Sequence, residues 1–212
     1  MARVHPNTAV ASRRGRLPSP AHLPPDAGGE AAVLTVWRKS LLFNCDGFTV
    51  FDAKGNLVFR VDNYTSSHRG EVVLMDASGT PLLTIRRKKM SLGENWLVYH
   101  GEKATDPLLS VKKHVNFLQS KALAHVTRCS ADAERCTYQV EGSYSQRCCG
   151  VYDERRQRLA EIRRKEAVGG VGFGGDVFRL VVQPGMEVAV AMAIVILLEE
   201  MFGSRGSSLI RG

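Results

Sequence analysis

Short alternations of apolar and polar residues fill the chain from residue 48 to residue 182. "FTVFD", "NLVFRVD", "EVVLMD", "PLLTIRR", "NWLVYH", "LLSVKKHV", "TYQVEG", "GVYD", "LAEIRR" and "DVFRLVV" are short and rich in β-branched or aromatic side chains. A period of two turns one face inward and the other outward, so each predicts a strand. Turn-forming residues separate many of them. "NFLQSKALAHV", residues 116–126, fits either a short helix or a strand.

Three of these segments repeat one pattern: "VFDAKGNLVFRV" from Val50, "LMDASGTPLLTI" from Leu74 and "VYDERRQRLAEI" from Val151. Each has an aspartate at its third place (Asp52, Asp76, Asp153) and ends on a β-branched residue (Val61, Ile85, Ile162). The first two put Gly55 and Gly79 three residues past the aspartate. An aspartate that bonds its own backbone, followed by a residue with positive φ, makes a hairpin turn. These carboxylates therefore read as turn formers rather than catalysts. The third copy has Arg156 where glycine is expected, which predicts a turn built differently.

The second copy continues into "IRRKKM". With Leu83 and Ile85 on the buried face, an unbroken strand would also bury Arg87 and Lys89, at high cost without partners. A bulge, turn or strand end is expected near Arg87–Lys89, leaving Arg86, Arg87, Lys88 and Lys89 exposed near a sheet rim.

The period changes at "PGMEVAVAMAIVILLEEMFG", residues 184–203. Val188 to Leu198 is an unbroken run of eleven apolar residues. The segment predicts a helix, with Glu187 in its first turn against the dipole and Gly203 as its C-terminal cap. A bilayer span needs about 20 apolar residues, and Glu199 with Glu200 would fall inside the hydrocarbon. A soluble helix apolar on every side must be enclosed by protein. The reading is a sheet wrapped around this helix, with Ala191, Met192, Ile194, Val195 and Leu198 buried on all sides. Gross burial is worth on the order of 15 kcal/mol, much of it offset by ordering entropy.

Residues 1–30 differ from the rest. They hold Pro6, Pro18, Pro20, Pro24 and Pro25 and few large apolar residues. This predicts a disordered tail. Arg13, Arg14 and Arg16 with no acid before Asp26 keep a transit peptide open, against which the prolines argue. Residues 31–203 form the folded domain, and 204–212 a short polar tail. The formal net charge is +8, carried mostly by the folded part. Such a charge suits an anionic partner, or serves solubility alone. The five cysteines show no CxxC pair and the six histidines no ligand spacing. Free thiols in a reducing compartment are expected, and no metal or cofactor. Cys148 and Cys149, adjacent on a strand, should point to opposite faces and not act as a redox switch.

Taken together, "GFTVFDAKGNLVFRVDNY", "LLTIRRKKMSLGENWLVY", "YQVEGSYSQRCCGVYDE", "LAEIRRKEA" and "FGGDVFRLVVQPGMEVAVAMAIVILLEEMFG" resemble the LURP-one-related proteins of plants over roughly residues 30–203. Cys148 stands where the family pattern has Ser, and Glu187 where it has Asp. The resemblance implies a mainly β, tubby-like fold: a closed antiparallel barrel of about twelve strands around a buried hydrophobic C-terminal helix. It also implies kinship to phospholipid scramblases and tubby domains, and through the namesake member an association with plant defence. The lipid-binding positions of the tubby relatives do not map onto this sequence.

Candidate chemistry is sparse. The glycine-rich "VGGVGFGGDVF" precedes a strand rather than a helix, so it does not read as a phosphate loop. His68, His100, His114 and His125 form no catalytic pair by spacing. A non-enzymatic protein is expected, and a monomer. The basic clusters remain: Arg86, Arg87, Lys88 and Lys89; Lys112 and Lys113; Arg155, Arg156 and Arg158; Arg163, Arg164 and Lys165. The first two are the candidate anionic-ligand surface, for phospholipid or an acidic protein. Alternatives are a protein- or DNA-interaction scaffold that reaches the nucleus, and a scramblase-like protein with the helix inserted. Localisation is expected to be cytoplasmic, at a membrane surface, or nuclear.

Overall fold

In a computed structural model, residues 29–41, 46–63, 70–89, 93–102, 105–114, 121–129, 136–166 and 174–203 are described. Both tails lie outside them, apart from Gly29 and Glu30. So do most of the glycine-rich stretch (167–173) and residues 115–120.

Twelve strands close into one antiparallel barrel in sequence order. They are β1 (Ala32–Trp37), β2 (Asp46–Phe51), β3 (Leu57–Asn63), β4 (Glu71–Asp76), β5 (Pro81–Arg87) and β6 (Asn95–His100). There follow β7 (Pro107–Lys113), β8 (Ala122–Arg128), β9 (Cys136–Ser143), β10 (Cys148–Tyr152), β11 (Arg158–Arg164) and β12 (Val177–Val182). Each strand pairs with its neighbour in sequence, and β1 closes the ring on β12 from Ala32↔Val182 to Trp37↔Val177. The pattern passes over β1 because its outward residues Val33 and Trp37 are apolar too, which hides the alternation. The ambiguous "ALAHV" is strand, within β8.

The repeat is a hairpin used three times. In each, the aspartate N–H donates to a carbonyl four residues on (Asn56, Thr80, Gln157), and the residue after next-but-one donates back to the aspartate carbonyl (Gly55, Gly79, Arg156). Each aspartate Oδ1 also accepts from that fourth residue's N–H, at 2.7–2.8 Å. A register shift follows Val50, Leu74 and Val151 alike. The third turn is thus not built differently: Arg156 takes φ 65°, beside Gly55 at 86° and Gly79 at 90°. A left-handed non-glycine residue costs about 1–2 kcal/mol. Its guanidinium compensates, donating to both Glu141 oxygens (2.6 and 3.1 Å) and lying 4.9 Å over the Tyr152 ring.

The chain leaves β12 through Gln183-Pro184-Gly185-Met186, where the Met186 N–H returns to the Gln183 carbonyl. Proline at the second place and glycine at the third, with φ 98°, is the type II arrangement. Helix α1 (Val188–Phe202) then runs back through the barrel. Every residue from Ala189 to Leu198 is buried, and Ala191, Met192, Ile194, Val195 and Leu198 are each at most 2% exposed. They join one core with inward residues from every strand whose burial is described. Two end details differ from expectation. Glu187 is the N-cap, outside the first turn, and its side chain makes no capping bond. Gly203 does cap, its N–H donating to the Glu199 carbonyl at 2.8 Å, but with φ −67° rather than left-handed. Glycine is needed there because a Cβ would collide with the Glu199 carboxylate and carbonyl.

Candidate functional site: the basic mouth of the barrel

Odd-numbered strands end, and even-numbered strands begin, at the mouth where α1 terminates. β5 buries Leu83, Thr84 and Ile85 and stops at Arg87, so Arg87, Lys88 and Lys89 emerge into solvent, as the cost of burying them requires. The Lys88 N–H still reaches the Asn95 carbonyl on β6 (2.8 Å), and the Lys113 N–H reaches that of Glu94 (3.1 Å). These bonds stitch β5, β6 and β7 together and bring the two candidate clusters into one arc.

Within the arc the cations divide. Arg86 donates to Glu71 at 2.6 Å and lies 5.9 Å over the Tyr99 ring. Arg87 and Lys113 share Glu94, at 3.7 and 2.6 Å. Lys113 also donates to the Met201 carbonyl (3.0 Å) and sits 4.9 Å over Phe202. It supplies the positive charge that α1 lacks in its own last turn. Lys88, Lys89 and Lys112 are exposed and have no carboxylate partner among the described residues. Trp96 and Tyr99, on β6 between the two clusters, are buried. Arg155, Arg156 and Arg158 lie at the opposite mouth among the turn aspartates, where both signs alternate. Arg163 and Arg164 end β11 on the basic mouth, with β8, β9 and β10 between them and this arc.

Two groupings escape sequence spacing. His125 on β8 and His114 just beyond β7 meet across the hairpin, Nε2 to Nδ1 3.3 Å apart. The β7–β8 register, which sets Lys112 opposite His125, is the signal that would have found them. At the end of α1, Glu199 receives Arg38 Nη1 at 2.8 Å and the Tyr144 hydroxyl at 3.0 Å, with Arg147 Nη2 at 3.8 Å. Burial, then the Glu199 charge, pushes the Tyr144 phenol pKa well above its usual value, so it keeps its proton and donates. Cys148 is exposed and Cys149 buried, on opposite faces as expected. Burial, with Cys148 next to it, pushes the Cys149 thiol up to about 12. A thiol so protonated is a packing group rather than a nucleophile.

The LURP-one-related family model matches residues 32–199, from the first residue of β1 into the last turn of α1. The chain belongs to the LURP-one-related family. Protein LURP-one-related 8 of Arabidopsis thaliana is 56% identical over 178 residues, covering 82% of this chain and 89% of the relative. Protein LURP-one-related 17 of the same plant is 41% identical over 191 residues, covering 84% and 86%. The X-ray structure of another Arabidopsis thaliana protein superposes with a TM-score of 0.62 at 26% identity, covering 85% of this chain and 97% of that one. Among the described residues of this LURP-one-related barrel, no helix is long and apolar enough to cross a membrane.

His125 is expected to give the domain a pH dependence. Burial, then His114, then Lys112 hold the His125 pKa below the ordinary 6.5. In the unfolded chain His125 protonates as pH falls through about 6.5, while the folded chain resists. The folded state therefore loses stability as pH falls below that value, by at most about 1.4 kcal/mol per pH unit. His125→Gln should flatten this slope between pH 7 and pH 5 in urea titrations. An unchanged slope in the variant would show that His125 does not cause it.

Proposed function

We propose that this LURP-one-related barrel is a non-enzymatic, membrane-peripheral module that docks its basic mouth on anionic phospholipid. The observation that carries the reading is the arc itself. Lys88 and Lys89, just past β5, and Lys112, on β7, stand exposed with β6 between them, while the neighbouring carboxylates Glu71 and Glu94 are already bound by Arg86, Arg87 and Lys113. Each exposed lysine held at a negatively charged leaflet is worth about 1 kcal/mol, falling off within a Debye length. Kinship to tubby and scramblase domains supports a lipid surface as the partner, and the family's namesake supports a setting in defence or stress signalling. A site in the cytoplasm, at its membrane boundary, suits such a module. An inserted-helix, scramblase-like reading is disfavoured because α1 is spent on the barrel core. DNA binding is disfavoured because Trp96 and Tyr99 are not available to stack on bases.

Vesicle co-sedimentation tests the proposal. Vesicles containing phosphatidylserine should retain the protein at low salt and release it near 0.5 M salt, where the Debye length is only a few ångströms. The triple variant Lys88→Glu, Lys89→Glu, Lys112→Glu should bind at least about tenfold more weakly. Its melting temperature should stay unchanged, because all three side chains are exposed. No retention at low salt, or equal retention of the variant, sinks the reading.

A further inference from the structure

The large hydrophobic side chains left exposed among the described residues are Val33, Trp37 and Leu41, at 38%, 39% and 51%. All three lie on β1 or just past its end. β1 ends at the basic mouth, where Arg38 Nη1 meets Glu199 in the last turn of α1 at 2.8 Å. Trp37 and Leu41 therefore stand on that rim, and Val33 lies lower on the wall.

The rim segment is tied down. The Arg38 N–H donates to the Asp176 carbonyl at 2.7 Å, and its guanidinium is spent on Asp176 and Glu199. The Lys39 carbonyl accepts from the Thr49 hydroxyl at 2.7 Å. Ser40 is buried and donates to Asp62, which Arg60 grips at 2.6 and 2.8 Å. With Ser40 pinned inward, Lys39 and Leu41 on either side of it are turned outward. Lys39 Nζ then lies 5.4 Å from the centre of the Trp37 ring. An indole, a leucine and a lysine together suit a bilayer interface. The indole has an apolar body and a polar edge, and a lysine stem follows apolar surface while its ammonium stays with the headgroups.

The ring order sets where this rim lies relative to the lysine arc. β1 stands six strands from β7 by either route and four from β5. The two features therefore face each other across one mouth. A flat surface that touches both must lie across that mouth.

We propose that Trp37 and Leu41, flanking Lys39, are an apolar anchor that enters the headgroup–acyl boundary of an anionic bilayer when the lysine arc docks. The inference rests on the docking reading and adds to it an orientation, with the barrel axis upright and the end of α1 toward the lipid. Lysines alone hold a protein by forces that salt screens, whereas buried apolar area is not screened. A bilayer suits this rim better than a protein partner does. Two side chains fall far short of the roughly 800 Å² that a stable protein interface takes from each side, and the rim opposite them is cationic.

Tryptophan fluorescence of the full chain tests the anchor. The chain has two tryptophans, and Trp96 is 5% exposed within the core, so a change on vesicle addition reports Trp37. Vesicles of phosphatidylserine and phosphatidylcholine at low salt should shift the emission to the blue. Phosphatidylcholine with brominated acyl chains should quench it. Trp37→Phe should abolish both responses. Trp37→Ala with Leu41→Ser should weaken vesicle retention at least about tenfold, and Leu41→Ser alone about threefold. Leu41 lies outside the strands on the rim, so its single variant should keep the parent melting temperature and decides the matter if the double variant does not fold. Retention without a blue shift or quenching, or full retention of Leu41→Ser and of a folded double variant, overturns the anchor and leaves the docking reading standing. No retention at all sinks both. A blue shift that grows with protein concentration in the absence of vesicles would make this rim a contact between copies of the chain, and would also overturn the proposal.

Discussion

Ile194→Asp should leave the chain without a cooperative unfolding transition. Ile194 is 2% exposed at the centre of α1, with buried residues before and behind it for more than two turns. On a half-buried helix an introduced carboxylate could bend toward solvent, but this helix has no solvent face at that level. The isolated charge would cost several kcal/mol even after relaxation. The cavity around the shorter side chain adds to that, against a net stability of about 5–15 kcal/mol for a domain. Far-UV circular dichroism during heating is the measurement. A variant that melts sharply, near the parent temperature, would show that the helix is not enclosed.

The second large effect is expected at the C-terminal end of the same helix. Glu199→Ala removes the carboxylate that receives Arg38 and Tyr144 and lies against Arg147. Arg147 would then be a buried cation with no opposing charge, and breaking such a pair costs about 3–5 kcal/mol. Tyr144→Phe is the control. It keeps the ring that covers Arg147 and loses a single hydrogen bond, so its cost should be near 1–2 kcal/mol. Urea denaturation of both variants compares them directly. Equal costs would mean that Glu199 does not hold the Arg147 charge.

The distinction between these two sites explains what could be read from sequence. The core helix was legible because an eleven-residue apolar run excludes every environment except an enclosure or a membrane, and Glu199 with Glu200 argued against the membrane. Most strands were legible because their outward residues are polar. Strand β1 was not, because Val33 and Trp37 are apolar on its outer face. The strand end at Arg87 followed from the cost of burying charge, a local argument. The Arg156 turn failed as an expectation for a related reason. Glycine is the inexpensive residue at positive φ, but Glu141, supplied by a different hairpin, compensates an arginine there, and spacing within one hairpin cannot reveal it. Arg38, Tyr144, Arg147 and Glu199 meet only because the barrel closes, and no local window contains them. The same is true of His114 and His125, which need the β7–β8 register.

That closure also orders events during synthesis. Eleven of the twelve strand pairings join neighbours in sequence and can zip up as the chain emerges. The twelfth joins β1, near the start, to β12, and the core helix follows β12 at once. Until β12 has left the ribosome as far as Val182, β1 keeps an unpaired edge, and until α1 follows, the inner face of the sheet has nothing to cover it, the condition that invites association with other chains. β12 is therefore the latch and α1 the plug, and both arrive last. A nascent chain stalled before residue 177 has most of its sheet and neither of the parts that protect it.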